Sequence, residues 1–317
     1  MEITDKKFRL FAGNTHPKLA QEIADILDTP LSAITLKKFS CGEIFVNLEE
    51  TVRGRDVFII NTINRETVSE DFMETFIMCD AAKRSFAERV HVIIPHFGYA
   101  RQDKIHDARE SISAKLMAGL LTKSGADHVI TLHLHADQIQ AFFDVPVDNL
   151  SPKRMLVDKI KEQNLENPII VSPDAGGAKY AKKIADMLGV ELAILHKSRP
   201  AHNQAVLTHL IGNVEGKTAI LVDDMVDTAG SVVGAKEALI KAGANKELCL
   251  VTTHPVFSGP AVDRLREAKF HKIIATNSMP LPKGSEDLNI EVVSVAPLIA
   301  NVIQNVMEKR SVSKLFF

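Results

Sequence analysis

The chain repeats itself. Ile23-Ala24-Asp25-Ile26-Leu27 returns as Ile184-Ala185-Asp186-Met187-Leu188, an offset of 161 residues. Val52-Arg53-Gly54-Arg55 ahead of an apolar run returns as Val214-Glu215-Gly216-Lys217 ahead of another, an offset of 162. Farther on, Pro95-His96-Phe97-Gly98 loosely echoes His254-Pro255-Val256-Phe257. A spacing held this steadily marks a duplicated unit rather than two unrelated segments of similar composition. Within each half, short β-rich runs such as 57–61, 129–135 and 219–223 alternate with helical periodicity, as where Leu19, Ala20, Ile23, Ile26 and Leu27 share one helix face. That alternation is the signature of an α/β fold. The expectation is two tandem domains of the same fold, each a mainly parallel sheet flanked by helices, spanning 1–149 and 150–317.

The composition narrows what these domains do. A net charge of −2 excludes the bulk electrostatics of a nucleic-acid or membrane-surface binder, so any phosphate site must be local. No apolar run approaches the ~18 residues a membrane span needs, and the opening MEITDKKFRL has no apolar signal core. Cys41, Cys79 and Cys249 are too few and too scattered for a disulfide framework or a zinc site. The reading is a soluble cytoplasmic protein with neither nucleic acid nor membrane as partner.

Residues 220–232 read ILVDDMVDTAGSV, in which an apolar run ends on two adjacent acids. Open α/β sheets bind ligands beyond the carboxyl ends of their strands, where Asp223 and Asp224 emerge. Thr228, Ala229, Gly230 and Ser231 then lead into a helix, whose N-terminus suits a phosphate. Carboxylates beside a phosphate serve hydroxyls or a cation, so Asp223, Asp224 and Asp227 with that turn fit a sugar phosphate. A negatively charged helix cap is the plainer account; it suits one Asp and fits three poorly. In the first half the matching run ends Ile60-Asn61-Thr62-Ile63-Asn64, so the fold does not require the acids. No Walker A loop or GxGxxG fingerprint occurs.

VDDMVDTAGS resembles the 5-phosphoribosyl-1-diphosphate loop of the phosphoribosyltransferase fold. Nearly the whole chain is similar to the ribose-phosphate diphosphokinase family. FSCGE at 39–43, HFGYARQDK at 96–104, SISAKL at 111–116, LHADQIQAFFDVPVDNL at 134–150, VSPDAGGAK at 171–179, HKSR at 196–199 and THPVFSGPA at 253–261 follow in order. The resemblance implies two phosphoribosyltransferase-like domains and transfer of the ATP diphosphoryl group to the 1-hydroxyl of ribose 5-phosphate. It also implies Mg²⁺ and a homo-oligomer, a hexamer in the family. A catalytically impaired associated subunit of the same family is the alternative, drawn from departures at Cys41, His133 and Ile105-His106-Asp107-Ala108.

The same resemblance distributes roles among the remaining motifs. Lys197 and Arg199 become the catalytic pair that neutralises charge on the diphosphoryl group, where residues alone give two surface cations. Arg101, Gln102 and Lys104 become ATP contacts in a loop that closes over the nucleotide; a solvated turn accounts for them equally well. Phe39, Cys41 and Glu43 become adenine contacts reaching a neighbouring subunit, although Phe39 also suits a core. His133 and His135 lie two apart on an expected strand, fitting a metal pair or two structural histidines. The family makes His135 an ATP or metal contact, with Asp144 a metal ligand and Asp148 on the nucleotide side. Asp174 in PDAGG is read as a ribose phosphate or metal contact, against a simple tight turn. Arg53 and Thr51, with Ser311 and Ser313, resemble a regulatory phosphate site.

Overall fold

The computed structural model describes residues 7–201 and 204–313, excepting the side chains of 197–201 and 204–208. Its first unit takes Met1–Ser151, Ser278–Pro280 and Ser294–Phe317. There β1 (Phe8–Ala12) leads through α1 (Pro17–Ile26) to the antiparallel pair β2 (Ile34–Lys38) and β3 (Ile44–Leu48). β4 (Asp56–Ile60), α2 (Val68–Arg84), β5 (Arg89–Ile94), α3 (Ser113–Ser124), β6 (His128–Leu132) and β7 (Val147–Leu150) follow. Five strands form a parallel sheet in the order β1-β4-β5-β6-β7.

The second unit takes Pro152–Asn277 and Leu281–Val293. After α4 (Lys153–Glu162) come β8 (Pro168–Ser172), α5 (Ala178–Leu188), β9 (Glu191–Ala201), β10 (Gln204–Ile211) and β11 (Thr218–Met225). α6 (Gly230–Lys241), β12 (Cys249–His254), α7 (Ala261–Ala268), β13 (Lys272–Thr276) and β14 (Ile290–Val293) complete it. The sheet order is β10-β9-β8-β11-β12-β13-β14, parallel except for β10 against β9.

Five strands thus recur in one order, β1-β4-β5-β6-β7 and β8-β11-β12-β13-β14. Their alternation places side chains on both faces under helices. Val57 and Ile59 enter one apolar cluster and Phe58 and Ile60 another; Ala219 and Leu221 separate from Ile220 and Val222 in the same way. Strands covered on both faces read as continuous apolar runs, which is why the acids after Val222 stand out. The halves differ in their hairpins. β9 joins its sheet beside β8, whereas β2 and β3 form a separate two-stranded sheet.

The C-terminal segment departs from the simple halving. α8 (Ala296–Met307) lies in the first unit, packing Ile299, Val302 and Ile303 into the cluster that holds Leu19 and Ile23 of α1. The Ser294 hydroxyl bonds the Glu22 carboxylate at its start. Apolar surface on α1 needed covering, and the repeat alone did not reveal which segment covers it.

Candidate functional site

In the second unit the acids gather at the carboxyl edge of the sheet. As β8 ends, the Ser172 hydroxyl donates to the Asp174 carbonyl at 2.7 Å, and the Gly177 N–H donates to the Asp174 carboxylate at 3.0 Å. A Cβ on Gly177 would stand 3.0 Å from the Ser172 hydroxyl, so this turn favours glycine. At the end of β11 the Asp224 N–H donates to the Asp223 carboxylate at 3.0 Å. Burial raises the Asp223 carboxyl well above the ordinary range, and the Asp224 and Asp174 charges raise it further. The Tyr180 phenol is likewise pushed up, first by burial and then by Asp224 and Asp223, against a bond to the Thr253 hydroxyl at 3.4 Å. Acids that oppose one another's ionisation mark a place suited to a cation or a row of donor hydroxyls.

The loop after them is held from outside. Asp227 receives the Ser258 hydroxyl on its carboxylate, and its carbonyl takes the Ser258 N–H at 3.0 Å. The Phe257 N–H bonds the Val226 carbonyl at 2.8 Å. Ala229 caps α6 in the left-handed region at φ 60°, a strained position for a residue with a Cβ. Arg264 of α7 donates to the Thr228 carbonyl at 2.9 Å, pinning the chain just before that turn. Thr228, Gly230 and Ser231 are exposed, and the first turn of α6 carries no acidic residue of its own. Ser258 and Arg264 were not singled out by sequence reasoning; Ser258 lies in the THPVFSGPA stretch, whereas nothing in the local pattern of α7 marks Arg264. Lys197 and Arg199 fall on β9, but their side chains lie outside the described residues.

The nucleotide-side residues belong to the first unit. Phe39 to Glu43 form the turn of the β2–β3 hairpin, closed by the Phe39 N–H to the Glu43 carbonyl and the Gly42 N–H to the Phe39 carbonyl, both 2.8 Å. Gly42 has φ 94°, so the turn requires glycine. The Phe39 ring is 45% exposed, which removes the core reading, with the Lys37 amine 5.5 Å from its centre. Cys41 and Glu43 are exposed beside it. Arg101, Gln102 and Lys104 are also exposed. The Gln102 side-chain carbonyl accepts the Ser113 hydroxyl at 2.5 Å, and its backbone carbonyl accepts the Ala114 N–H at 3.2 Å. Glu110 gathers the His106 and Asp107 N–H groups at 2.9 and 3.1 Å, and these bonds hold its carboxyl below the usual range.

One expectation needs correction. β6 ends at Leu132, and His133 turns left-handed at φ 46°, so His133 and His135 do not share a strand face. Asp148 accepts His128 Nε2 at 3.1 Å and pairs in register with Ile130. Asp144 and His135 are exposed. Arg53 stacks on Phe86 at 4.1 Å, Thr51 is exposed, and the Ser311 and Ser313 hydroxyls lie 2.8 Å apart. Among the described residues no group of three or more His, Cys, Asp or Glu side chains is arranged as a metal site, and no helix is long and apolar enough to cross a membrane.

Comparison with known proteins places these features in context. Residues 8–125 match the N-terminal domain of ribose phosphate pyrophosphokinase, and residues 200–317 match the phosphoribosyl synthetase-associated domain. The chain is 46% identical over 312 residues to the ribose-phosphate pyrophosphokinases of Oceanobacillus iheyensis and Bacillus subtilis, with 98% of each chain covered. That of Wolinella succinogenes is 47% identical over 309 residues, covering 98% of this chain and 99% of its own. The crystal structure of phosphoribosylpyrophosphate synthetase from Mycobacterium smegmatis superposes with a TM-score of 0.90 at 43% identity, covering 96% of this chain and all of that one.

Proposed function

The chain belongs to the ribose-phosphate pyrophosphokinase family, and we propose on that premise that it transfers the diphosphoryl group of ATP to ribose 5-phosphate. The sugar's 1-hydroxyl attacks the β-phosphorus, the bond from that phosphorus to the α,β-bridging oxygen breaks, and AMP leaves. The products are AMP and 5-phosphoribosyl 1-diphosphate. Such transfers depend on positioning and charge stabilisation more than on covalent catalysis. The observation that carries the reading for this chain is the acidic edge of the second unit, where Asp224 and Asp174 both oppose ionisation of Asp223 just ahead of the loop into α6. Relatives carrying the name of the synthesising enzyme support it over the associated-subunit alternative.

Within this reading Asp223 and Asp224 take the ribose hydroxyls, and Asp227 with Thr228 to Ser231 seats the 5-phosphate. Lys197 and Arg199 neutralise the diphosphoryl group in flight. Arg101, Gln102, Lys104 and His135 hold the triphosphate, and the exposed Phe39 ring with Cys41 and Glu43 receives adenine in a neighbouring copy of a cytoplasmic homo-oligomer. Mg²⁺ fits the acidic edge, because it needs one or two carboxylates and completes its shell from water and phosphate oxygens; when bound it would neutralise phosphate charge. Arg53, Ser311 and Ser313 are assigned to a regulatory phosphate.

The test is AMP release from ATP and ribose 5-phosphate in the presence of Mg²⁺. Lys197→Ala should lower kcat by about 10²-fold or more while changing ribose 5-phosphate affinity little. An unchanged kcat rejects the role given to Lys197, and no AMP release from the unmodified chain rejects the function.

A further inference from the structure

The first unit has a cavity of about 370 Å³ at the place corresponding to the ribose phosphate loop, lined by Asn14, Lys37, Lys38, Asn64, Asp71 and Glu74 among others. The correspondence is close: the helix caps Thr67 and Ala229 lie 162 residues apart, as do Asn61 and Asp223. The polarity is inverted. In the second unit the strand ends are acidic and the first turn of α6 carries no acid; in the first, the strand ends are amides and α2 carries the acids.

Those acids occupy the local donors. Glu74 accepts the Asn14 N–H at 2.9 Å, the Asn14 amide at 2.6 Å and the Asn61 amide at 3.3 Å. Asp71 accepts the Asn64 N–H at 2.7 Å and the Thr67 hydroxyl at 3.0 Å. Both residues are 7% exposed, whereas Glu70 bonds the Lys38 amine at 2.7 Å near the surface. Backbone N–H groups at strand ends, with two lysines alongside, are what a phosphate ester would use. Here carboxylates of the chain itself fill them.

We infer that the first unit retains a phosphate cradle occupied by Asp71 and Glu74, and that this internal occupancy keeps phosphate esters out of that half. The inference rests on the ribose phosphate reading of the second unit. Removing a built-in anion should open the cradle to an external one.

Inorganic phosphate is the probe. Against the unmodified chain, Glu74→Ala and Asp71→Ser should each gain about 3 °C of additional phosphate-dependent Tm, the size expected for a new site near tenfold saturation. Glu70→Ala should respond like the unmodified chain, because Glu70 takes no backbone donor. Equal phosphate shifts in all four proteins overturn the inference. So does failure of both cradle variants to fold even in phosphate, since an external anion should replace the lost carboxylate. Ribose 5-phosphate is added to the unmodified chain as a separate arm: no stabilisation there is a failure of the earlier reading, not of this one.

Discussion

Asn61 in the first unit and Asp223 in the second hold equivalent positions near the ends of central strands, and their surroundings differ more than the one-atom change suggests. Asn61 is 1% exposed and its amide donates to the Thr75 hydroxyl at 3.0 Å and to Glu74 at 3.3 Å. Its environment is complete. Asp223 instead faces Asp224 and Asp174, and burial with those two charges raises its pKa against the single opposing bond from the Asp224 N–H. One strand end is settled by internal hydrogen bonds; at the other, burial and two neighbouring acids oppose ionisation. A shared fold therefore carries a stable half and a poised half, in line with function being located in sites rather than folds.

The largest expected effect breaks this comparison directly. Asp223→Asn should lower kcat/KM for ribose 5-phosphate by about 10²-fold or more, because the amide cannot serve the sugar hydroxyls as a charged acceptor. The same change should raise Tm, since it removes a carboxylate whose ionisation the fold opposes. The reciprocal Asn61→Asp should leave kcat/KM within about twofold but lower stability by about 1–3 kcal/mol, as the amide donors to Glu74 and Thr75 give way to a buried acid facing Glu74, with the Thr15 hydroxyl its remaining donor. Steady-state kinetics and thermal melts on the two variants decide the matter. If Asn61→Asp loses activity as severely as Asp223→Asn, the halves are not divided in this way.

A smaller effect should follow at the helix caps. Thr67 enters α2 at φ −129°, whereas Ala229 enters α6 at φ 60° and has the Arg264 guanidinium holding the carbonyl before it. Arg264→Ala should raise KM for ribose 5-phosphate about tenfold and leave KM for ATP within twofold, the loss of one charge-assisted bond to a binding loop. Arg264→Lys should recover part of the difference. An equal rise in both KM values would show a general structural defect instead of a loop-positioning role.

How much of this was legible in the sequence depends on the distance over which each feature is determined. The duplicated α/β plan, the strand that carries Asp223 and the small-residue turn into the next helix follow from apolar runs and small residues that are local in the chain, although β11 runs two residues past Asp223 to Met225. The left-handed turn at His133 was not legible, since Val129 to His135 keeps an apolar alternation after the backbone has left the sheet. Nor could the pattern place Asp148 against His128, a bond between strands whose register only the fold sets. The placement of α8 with α1 depends on which apolar face remained uncovered. Arg264 and Glu74 act through tertiary hydrogen bonds over 36 and 60 residues, and no spacing rule reports those.

A further test probes the settled half through its pH dependence. Burial raises the Asp71 carboxyl to about 6 from 3.8, with the Glu74 and Glu70 charges adding to the rise and the Asn64 and Thr67 bonds opposing it. A carboxyl raised in the folded state binds its proton more tightly there than in the unfolded chain. Its contribution therefore favours the fold fully below about pH 4 and is lost as pH rises through about 6. Asp71→Asn keeps an acceptor for the Asn64 N–H but has no proton to take up. The stability of the unmodified chain relative to Asp71→Asn should therefore increase as pH falls from 7 to 4, by on the order of 1–3 kcal/mol. Other carboxylates, such as Asp56 with its lowered pKa, contribute to both proteins and cancel in the difference. Denaturant melts at pH 7 and pH 4.5 read it directly. A difference that stays flat, or runs the other way, would mean that Asp71 is not held as a costly internal anion, and the contrast between the two strand ends would rest on Asp223 alone.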